Sequence, residues 1–512
     1  MGAGEVGPQP TGGQAFPGWV LGAQQHLWTA SDRRELLPTA ECSASSCSAV
    51  SLLGPGGRRR RAGGLIFKRI GDAAAGSSAA ACYLFDRMPP SSHAARTEGV
   101  AADRLSALSE RATQRVLSFL PSRQAVRTCV LIRKWRQQWR SVPALRITDA
   151  DSYQSPNHLN KFVNSLLLFR ERVPLREVEI SFYRGGQRAE AFRYVELWLR
   201  VALALPQELR VLRVCNRNGD PFWSMPSYLV TSKDFKRLAQ LEFVGVKSDS
   251  LDFLSCCPVL EVLNMKSCGL NINRIVSASL NHLSITDCRL NGRARVRISA
   301  PSLISLQLSG CFGWTPFLES MPSLDSAFVR LDKCQDYCFY AYESGHCEDD
   351  YCEGCVLRNK GSNSCLLLQG LSCCTKLELT AERGVYTFTD DLTQCPMFLK
   401  LRALLLNDWC ITANLETLIW FLQHTPNLEK LTLQFDKVSE AEMPERPSYG
   451  LTKQPIVLKN LSVEVKCCKD NKQIRKTSQI LATFGVAPEQ IKIKLIKAPW
   501  SSRRFSFEQK EI

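Results

Sequence analysis

One pattern constrains this chain more than any other: a Leu-x-x-Leu-x-Leu string, with Val, Ile, Phe or Met substituting, that recurs from Leu175 to Val463. LREVEI (Leu175, Val178, Ile180), LRVLRV (Leu209, Leu212, Val214), LAQLEF (Leu238, Leu241, Phe243) and LEVLNM (Leu260, Leu263, Met265) open the series. LNHLSI (Leu280, Leu283, Ile285) and LISLQL (Leu303, Leu306, Leu308) follow, and a degenerate LDSAFV starts at Leu324. CTKLEL (Leu377, Leu379), LRALLL (Leu401, Leu404, Leu406), LEKLTL (Leu428, Leu431, Leu433) and LKNLSV (Leu458, Leu461, Val463) complete it. The last two apolar residues of each string alternate across one position, so both point the same way from a short extended strand. The first closes the turn leading in. Such a unit leaves its apolar faces uncovered until a neighbour stacks on it, which drives the chain into an array.

The leading residues Leu238, Leu260, Leu280, Leu303 and Leu324 are 22, 20, 23 and 21 apart, and other steps are nearer 30. That matches the period of leucine-rich repeats, roughly 20–29 residues, and predicts an α/β solenoid of horseshoe form. Proline stands two residues before several leading leucines (Pro258, Pro301, Pro322, Pro426), where it is expected to end a preceding helix before the strand starts. Most of the 22 cysteines, such as Cys256, Cys257, Cys268 and Cys288, fall at repeat positions. They read as reduced thiols serving as small core residues.

Either side of the array the composition changes. Residues 1–100 form a leader rich in Gly, Ala, Ser, Pro and Arg, without sustained periodicity to about residue 87, and are expected to be disordered. Within it Arg58–Arg61 reads as a solvated run or a nuclear-import patch, and Met88 as an alternative start. No run approaches the ~18 apolar residues of a membrane-spanning helix, and no signal-peptide core or myristoylation motif opens the chain. The expected location is nucleus and/or cytoplasm, with no membrane partner. The formal net charge of +16 invites nucleic acid, but no recognition-helix motif or aromatic-interleaved basic patch accompanies it, so direct nucleic-acid binding is not expected.

Residues 103–143 carry helical spacing. Leu105, Leu108, Ala112, Val116 and Phe119 or Leu120 recur at three- and four-residue steps on one face. Pro121 stops that helix, Ser122 is placed to N-cap a second, and Leu131, Trp135 and Trp139 stripe a third. A bundle this small needs a partner or an adjoining domain. At the other end, 471–484 predicts a helix with Ile474, Ile480, Leu481 and Phe484 inward and Gly485 as its stop. IKIKLI (Ile491–Ile496) then alternates as an edge strand with Lys492 and Lys494 to solvent. Together these make an α+β cap.

The residues DRLSAL, RVLSFLPSRQAVRTCVL and KWRQQWRSVP resemble an F-box. LKNLSVEVKCCKDNKQIRKTSQILATFGVAPEQIKIKL resembles the FBD-type region that follows leucine-rich repeats in plant F-box proteins, and SCLLLQGLSCCTKLELTAE and FLKLRALLLNDWCITANLETLIWFLQHTPNLEKLTLQF are similar to the same family. The resemblance covers about residues 103–497. It implies an F-box at 103–143, repeats at 145–440 with a Cys-rich insertion at 334–365, an FBD-like cap at 455–497 and a tail at 498–512. It further implies a non-catalytic substrate receptor of a Skp–cullin–F-box ubiquitin ligase. Leu105, Leu108, Val116, Leu117, Phe119, Leu120, Val126, Val130, Leu131 and Trp135 would face the Skp-type adaptor or the bundle beneath it, and the sequence does not separate the two roles. The adaptor would join the chain to a cullin. One departure stands out: Ser109, Glu110, Arg111 and Ala112 replace the family's Pro and the acidic and aliphatic positions after it. The smaller apolar area could weaken docking by on the order of 1–2 kcal/mol. A scaffold uncoupled from the ligase is therefore the alternative reading.

No catalytic pattern is found: the six histidines form no zinc-protease motif, and no nucleophile elbow or phosphate loop is present. Specificity for an unidentified protein target would sit at variable positions of the strands, among them Glu261, Asn264, Asn281, Ser284, Ser305 and Gln307. In the insertion, Cys352-x-x-Cys355 has zinc-knuckle spacing, which Cys334 and Cys338 (or His346) would complete as a structural site. A loop of free thiols, with no cofactor, is the competing reading.

Overall fold

The computed structural model describes residues 107–495, apart from 131–132, 183–187, 205–206, 218–222, 227–234, 291–294, 332, 336–364, 382–390, 393–395, 411–414, 436–457, 459 and 468–471. Thirteen strands form one sheet in which spatial order equals chain order. They are β1 (Ala144–Ile147), β2 (Leu175–Phe182), β3 (Gln207–Asn216), β4 (Gln240–Val244), β5 (Val262–Lys266), β6 (His282–Thr286) and β7 (Ser305–Ser309). They continue with β8 (Ser326–Leu331), β9 (Lys376–Ala381), β10 (Ala403–Asn407), β11 (Lys430–Phe435), β12 (Ser462–Cys467) and β13 (Ile491–Leu495). Every neighbouring pair is parallel. The alternation expected of the repeat holds: Leu263 and Met265, Leu283 and Ile285, and Leu404 and Leu406 point into the core and are almost fully buried, as are the leading Leu260, Leu280 and Leu401. One repeat differs from its sequence parse. Val463 and Val465 pair with Leu431 and Leu433, so Leu461, not Leu458, occupies the leading place there.

Repeat length decides what connects the strands. Where steps are near 30 residues or longer, there is room for a helix: α3 (Pro156–Phe169) and α4 (Arg188–Ala204) precede β2 and β3, and α6 (Glu416–His424) precedes β11. The steps of 20–23 residues use extended chain, which spans more distance per residue. Between Trp223 and Gln335 the connections therefore build two narrow parallel sheets of six and three strands. The prolines act accordingly. In each case the leading leucine's N–H returns to the carbonyl three residues earlier: Leu260 to Cys257, Leu303 to Ala300, Leu324 to Met321 and Leu428 to Thr425, at 3.1–3.2 Å. Pro258, Pro301, Pro322 and Pro426 thus sit second in a four-residue turn, where their fixed φ is preset. Of the four, only Pro426 follows an α-helix.

After each central strand the chain turns through a left-handed residue: Gly245, Ser267, Asp287 and Gly310, at φ 51–64°. At Gly310 a Cβ would stand 2.4 Å from Asp287 Oδ1, so a side chain there would have to displace the Asp287 carboxylate in a left-handed backbone. Cys268, Cys288 and Cys311 stack just beyond. Their thiols donate to the carbonyls of Phe243, Met265 and Ile285 at 3.4–3.6 Å, inside the core. These cysteines satisfy buried backbone acceptors, and the described cysteines form no disulfide.

The amino-terminal helices differ from the sequence reading in two respects, the third helix and the role of Ser122, and they settle which residues of the first helix face inward. α1 covers Glu110–Ser118 and α2 covers Ser122–Arg127, but the expected third helix is a set of 3-10 turns at Thr128–Val130, Arg133–Trp135 and Gln138–Ser141. The buried face of α1 is Thr113, Leu117 and Ser118, whereas Val116 and Phe119 look outward. Ser122 is the first helical residue of α2, not its cap, and its hydroxyl accepts from Arg146 N at 3.0 Å.

That bond is one of several joining the helices to the sheet. Arg146 Nε donates to Ser118 O at 2.7 Å, and Arg140 Nε donates to Phe169 O at 2.7 Å. Leu117, Val126, Trp135, Trp139 and Val142 belong to the same apolar core as Leu145 of β1. β1 itself, ALRI, was not apparent as a repeat. At the carboxyl end, α7 (Lys472–Thr483) buries Ile474 and Leu481, Phe484 is buried beside them, and Gly485 turns the chain at φ 79°. β13 is the edge, with Lys492 and Lys494 exposed, but Ile493 and Leu495 are uncovered too.

Candidate docking and recognition surfaces

Ser109 begins the helical surface. Its hydroxyl accepts from Ala112 N at 3.3 Å and Glu110 occupies the first turn, so a side-chain cap with a favourable charge starts α1 where the family has proline. Successive outward positions of α1 are then Arg111, Ala112, Arg115, Val116 and, at the C-cap, Phe119. Val116 is 43% exposed and Phe119 61%, with the Arg115 guanidinium 4.8 Å above the Phe119 ring. Val130, on the first 3-10 turn, is 76% exposed.

Burial therefore sorts the ten candidate docking residues. Leu117, Val126 and Trp135 are core; Leu108 and Leu120 are half-buried against it; Val116, Phe119 and Val130 are open to a partner. Leu105 and Leu131 lie outside the described residues. Sequence alone could not make this division, because the ten candidates are all apolar or aromatic and their spacing suits a core face as well as a docking face.

Across the sheet, the register lines up the outward residue of each strand: Arg146, Glu179, Arg213, Glu242, Asn264, Ser284, Gln307, Phe328, Glu378, Leu405, Thr432, Glu464 and Lys492. Three candidate recognition residues, Asn264, Ser284 and Gln307, are adjacent in this row and half-buried, and Ser284 Oγ donates to Gln307 Oε1 at 3.2 Å. Ser305 lies in the neighbouring row beside His282. Glu261 and Asn281 precede their strands, where their carbonyls hold the next strand's first N–H groups; neither lies in the row.

The row has three regimes. On β1–β4 its charges are neutralised internally: Arg146 pairs with Glu177 and Glu179, and Arg213 reaches Glu242 at 3.2 Å and Glu179 at 4.0 Å. Alternating signs at one repeat position were the available signal for this ladder, and the sequence reading missed it. On β5–β7 the row is neutral and polar. On β8–β11, Phe328, Glu378, Leu405 and Thr432 are buried.

Little else offers chemistry. A cavity of about 590 Å³ at the turns before β10–β12 is lined by residues including Thr375, Arg402, Asn427 and Glu429; one of about 330 Å³ is lined by Tyr153, Leu159, Phe182, Tyr194 and Trp198, among others. Among the described residues, neither lining includes a histidine or cysteine. Burial pushes the Cys311 and Cys257 thiols up to about 12 and Cys215 up to about 11, which removes nucleophilic character at neutral pH. Among the described residues no cluster of His, Cys, Asp or Glu could hold a metal ion, and no helix is long and apolar enough to cross a membrane. Cys334 lies in a short strand (Lys333–Gln335), and Cys338, Cys352 and Cys355 lie outside the described residues.

Comparison with known proteins agrees with this architecture. A family profile described as the leucine-rich repeats of FBD-associated F-box protein At5g56370 matches residues 194–312. The FBD-associated F-box protein At5g60610 of Arabidopsis thaliana is 25% identical over 65% of this chain and 83% of its own length. The F-box/FBD/LRR-repeat protein At4g26340 of the same plant is 29% identical over 32% of this chain and 38% of its own. The MEIOTIC F-BOX protein MOF of rice (Oryza sativa subsp. japonica) is 26% identical over 65% and 71%. For several such relatives, the chain spans less than two thirds of their length. These matches and the repeat array make the chain similar to plant F-box proteins whose names carry leucine-rich repeats and an FBD region.

Proposed function

We propose that the protein is a non-catalytic substrate receptor of a Skp–cullin–F-box ubiquitin ligase, acting in the nucleus and/or cytoplasm. The observation that carries the reading is the partition of the helical segment. Leu117, Val126 and Trp135 anchor it to the repeat array, while Val116, Phe119 and Val130 remain unpartnered on its outer side. A monomer gains nothing from exposing two branched side chains and a phenyl ring in so small a region, whereas a docking module needs them. The side-chain cap at Ser109 supports retention of docking despite the missing proline. Because the module and the sheet share one core, an adaptor held by the helices would fix the position of a target held on the strands. The stretch Asn264, Ser284 and Gln307 is neutral, polar and half-buried in the middle of the strand row, and it is our candidate for target contact.

The test is capture of a recombinant plant Skp-type adaptor by the full chain, wild type against Phe119→Ser with Val130→Ser. Wild type is expected to retain the adaptor and the double variant to lose it at unchanged thermal stability. A wild-type chain that captures none favours the uncoupled scaffold and refutes the ligase role.

A further inference from the structure

The sheet ends at β13 without a cover. This strand pairs in parallel with β12, and among the described residues no strand lies on its other side. Its core-side residues Ile491, Ile493 and Leu495 continue the row of Val463, Val465 and Cys467, which are buried in β12. Burial falls away along the new row: Ile491 is half-buried, whereas Ile493 is 53% exposed and Leu495 70%. A terminal repeat ordinarily turns a polar face outward to keep a solenoid in solution. Here a free backbone edge and uncovered apolar side chains occur together.

The opposite face of the same strands carries charge of one sign. Lys430 of β11, Lys466 of β12 and Lys492 and Lys494 of β13 all lie on it, and Glu464 is the single carboxylate of the three strands. Lys494 Nζ already holds that carboxylate at 2.6 Å. Edge lysines deter a second strand of like composition. Two copies of β13 laid edge to edge, with their apolar sides together, would set lysine against lysine in either direction. A strand bearing carboxylates at those positions meets no such barrier. Its backbone extends the ladder, its apolar residues cover Ile493 and Leu495, and its acids meet Lys492 and Lys494. A phosphate backbone would satisfy the lysines but leave the apolar row in water. We propose that β13 is a docking edge for an extended segment of a partner protein in which apolar and acidic residues alternate, and which adds as one further strand of the sheet. Docking at this edge does not depend on the receptor role proposed above.

Fluorescence polarisation of the full chain with a labelled synthetic peptide tests it, the peptide alternating Val and Glu over about nine residues. Saturable binding is expected, with amide hydrogen exchange at 491–495 slowed in the complex. The same peptide with Lys in place of Glu should not bind. Lys492→Glu with Lys494→Glu should weaken the Val-Glu peptide on the order of tenfold and admit the Val-Lys peptide. If that pair lowers the melting midpoint, through loss of the Glu464 contact, Lys492→Glu alone is read in its place and should shift both affinities in the same directions. A peptide with Pro for its central Val keeps the charge but interrupts the ladder, and should bind far more weakly. Equal binding of the Pro peptide overturns strand addition, since charge alone would then hold it. Absence of saturable binding, or protection confined to other residues, overturns the proposal outright. A random-sequence DNA duplex that displaces the peptide at comparable affinity overturns it in favour of nucleic acid. A chain that sediments as a dimer, and as a monomer once Leu495→Asp is introduced, overturns it in favour of a second copy.

Discussion

Removal of one carboxylate should loosen the chain between β8 and β9. Asp391 is 1% exposed, and its two oxygens accept the backbone N–H groups of Leu366, Leu367 and Leu368 at 2.7, 2.7 and 2.9 Å. Those residues lead into the short helix α5 (Leu368–Leu371), which packs on the strand Phe317–Leu318, and Leu318 N donates to Leu366 O at 2.8 Å. A one-turn helix cannot satisfy its own first N–H groups, so the cap comes from 23–25 residues away. Asp391→Ala would strand three buried donors at about 1–3 kcal/mol each, and with partial relaxation the loss should be about 3–5 kcal/mol. Asp391→Asn keeps one acceptor oxygen and turns an amide toward the remaining donor, for about 2–3 kcal/mol. Urea unfolding of the full chain measures the total. Hydrogen exchange of the 365–371 amides locates it, and protection there should drop on the order of a hundredfold or more in the Ala variant. A change under about 0.5 kcal/mol with unaltered exchange would refute the assignment of Asp391 as the cap.

Other positions give distinct outcomes. Gly310→Ala combines a left-handed backbone with a 2.4 Å approach to Asp287 Oδ1 and should cost at least about 2 kcal/mol in urea, whereas Ser320→Ala on the exposed surface should be neutral. Pro301→Ala should lower stability by only about 0.4–1 kcal/mol, because the turn survives and only unfolded-state freedom grows; a cost above about 3 kcal/mol would contradict the turn role. Iodoacetamide should label exposed Cys256 in the native protein and spare Cys257, Cys268, Cys288 and Cys311 until urea is added, as peptide mass spectrometry would reveal. Leu117→Ala should destabilise the chain by about 2–4 kcal/mol through a buried cavity, while Phe119→Ser should leave unfolding unchanged, a contrast that differential scanning fluorimetry resolves.

The repeat array was legible because its signal is redundant. A strand such as LEVLNM is marked by two residues on one side, a leading leucine and a turn proline, and the next copy repeats them about twenty residues later. The connections were not legible for the complementary reason. Prolines 258, 301 and 322 looked like helix stops because nothing local distinguishes a stop from the second position of a turn. β1 escaped notice since ALRI is too short to show the period, and its pairing with β2 is what identifies it. Whether the stripe Ala112, Val116 and Phe119 of α1 faces the core or a partner was open in the sequence, because its spacing suits either. Thr113 and Leu117 hold the core face, where the sheet lies.

The amino-acid sequence by itself determined that parallel strands would stack in chain order and which side chains of the repeats would fill the core. Those follow from periodicity, which is a property of the linear string. Only the tertiary structure decided which helical residues are free to meet a partner, that charges on β1–β4 are already neutralised, and that Asn264, Ser284 and Gln307 form one contiguous strip. Exposure and pairing depend on what lies across a gap in space from residues 20 or more positions distant. No local pattern of residue types encodes that.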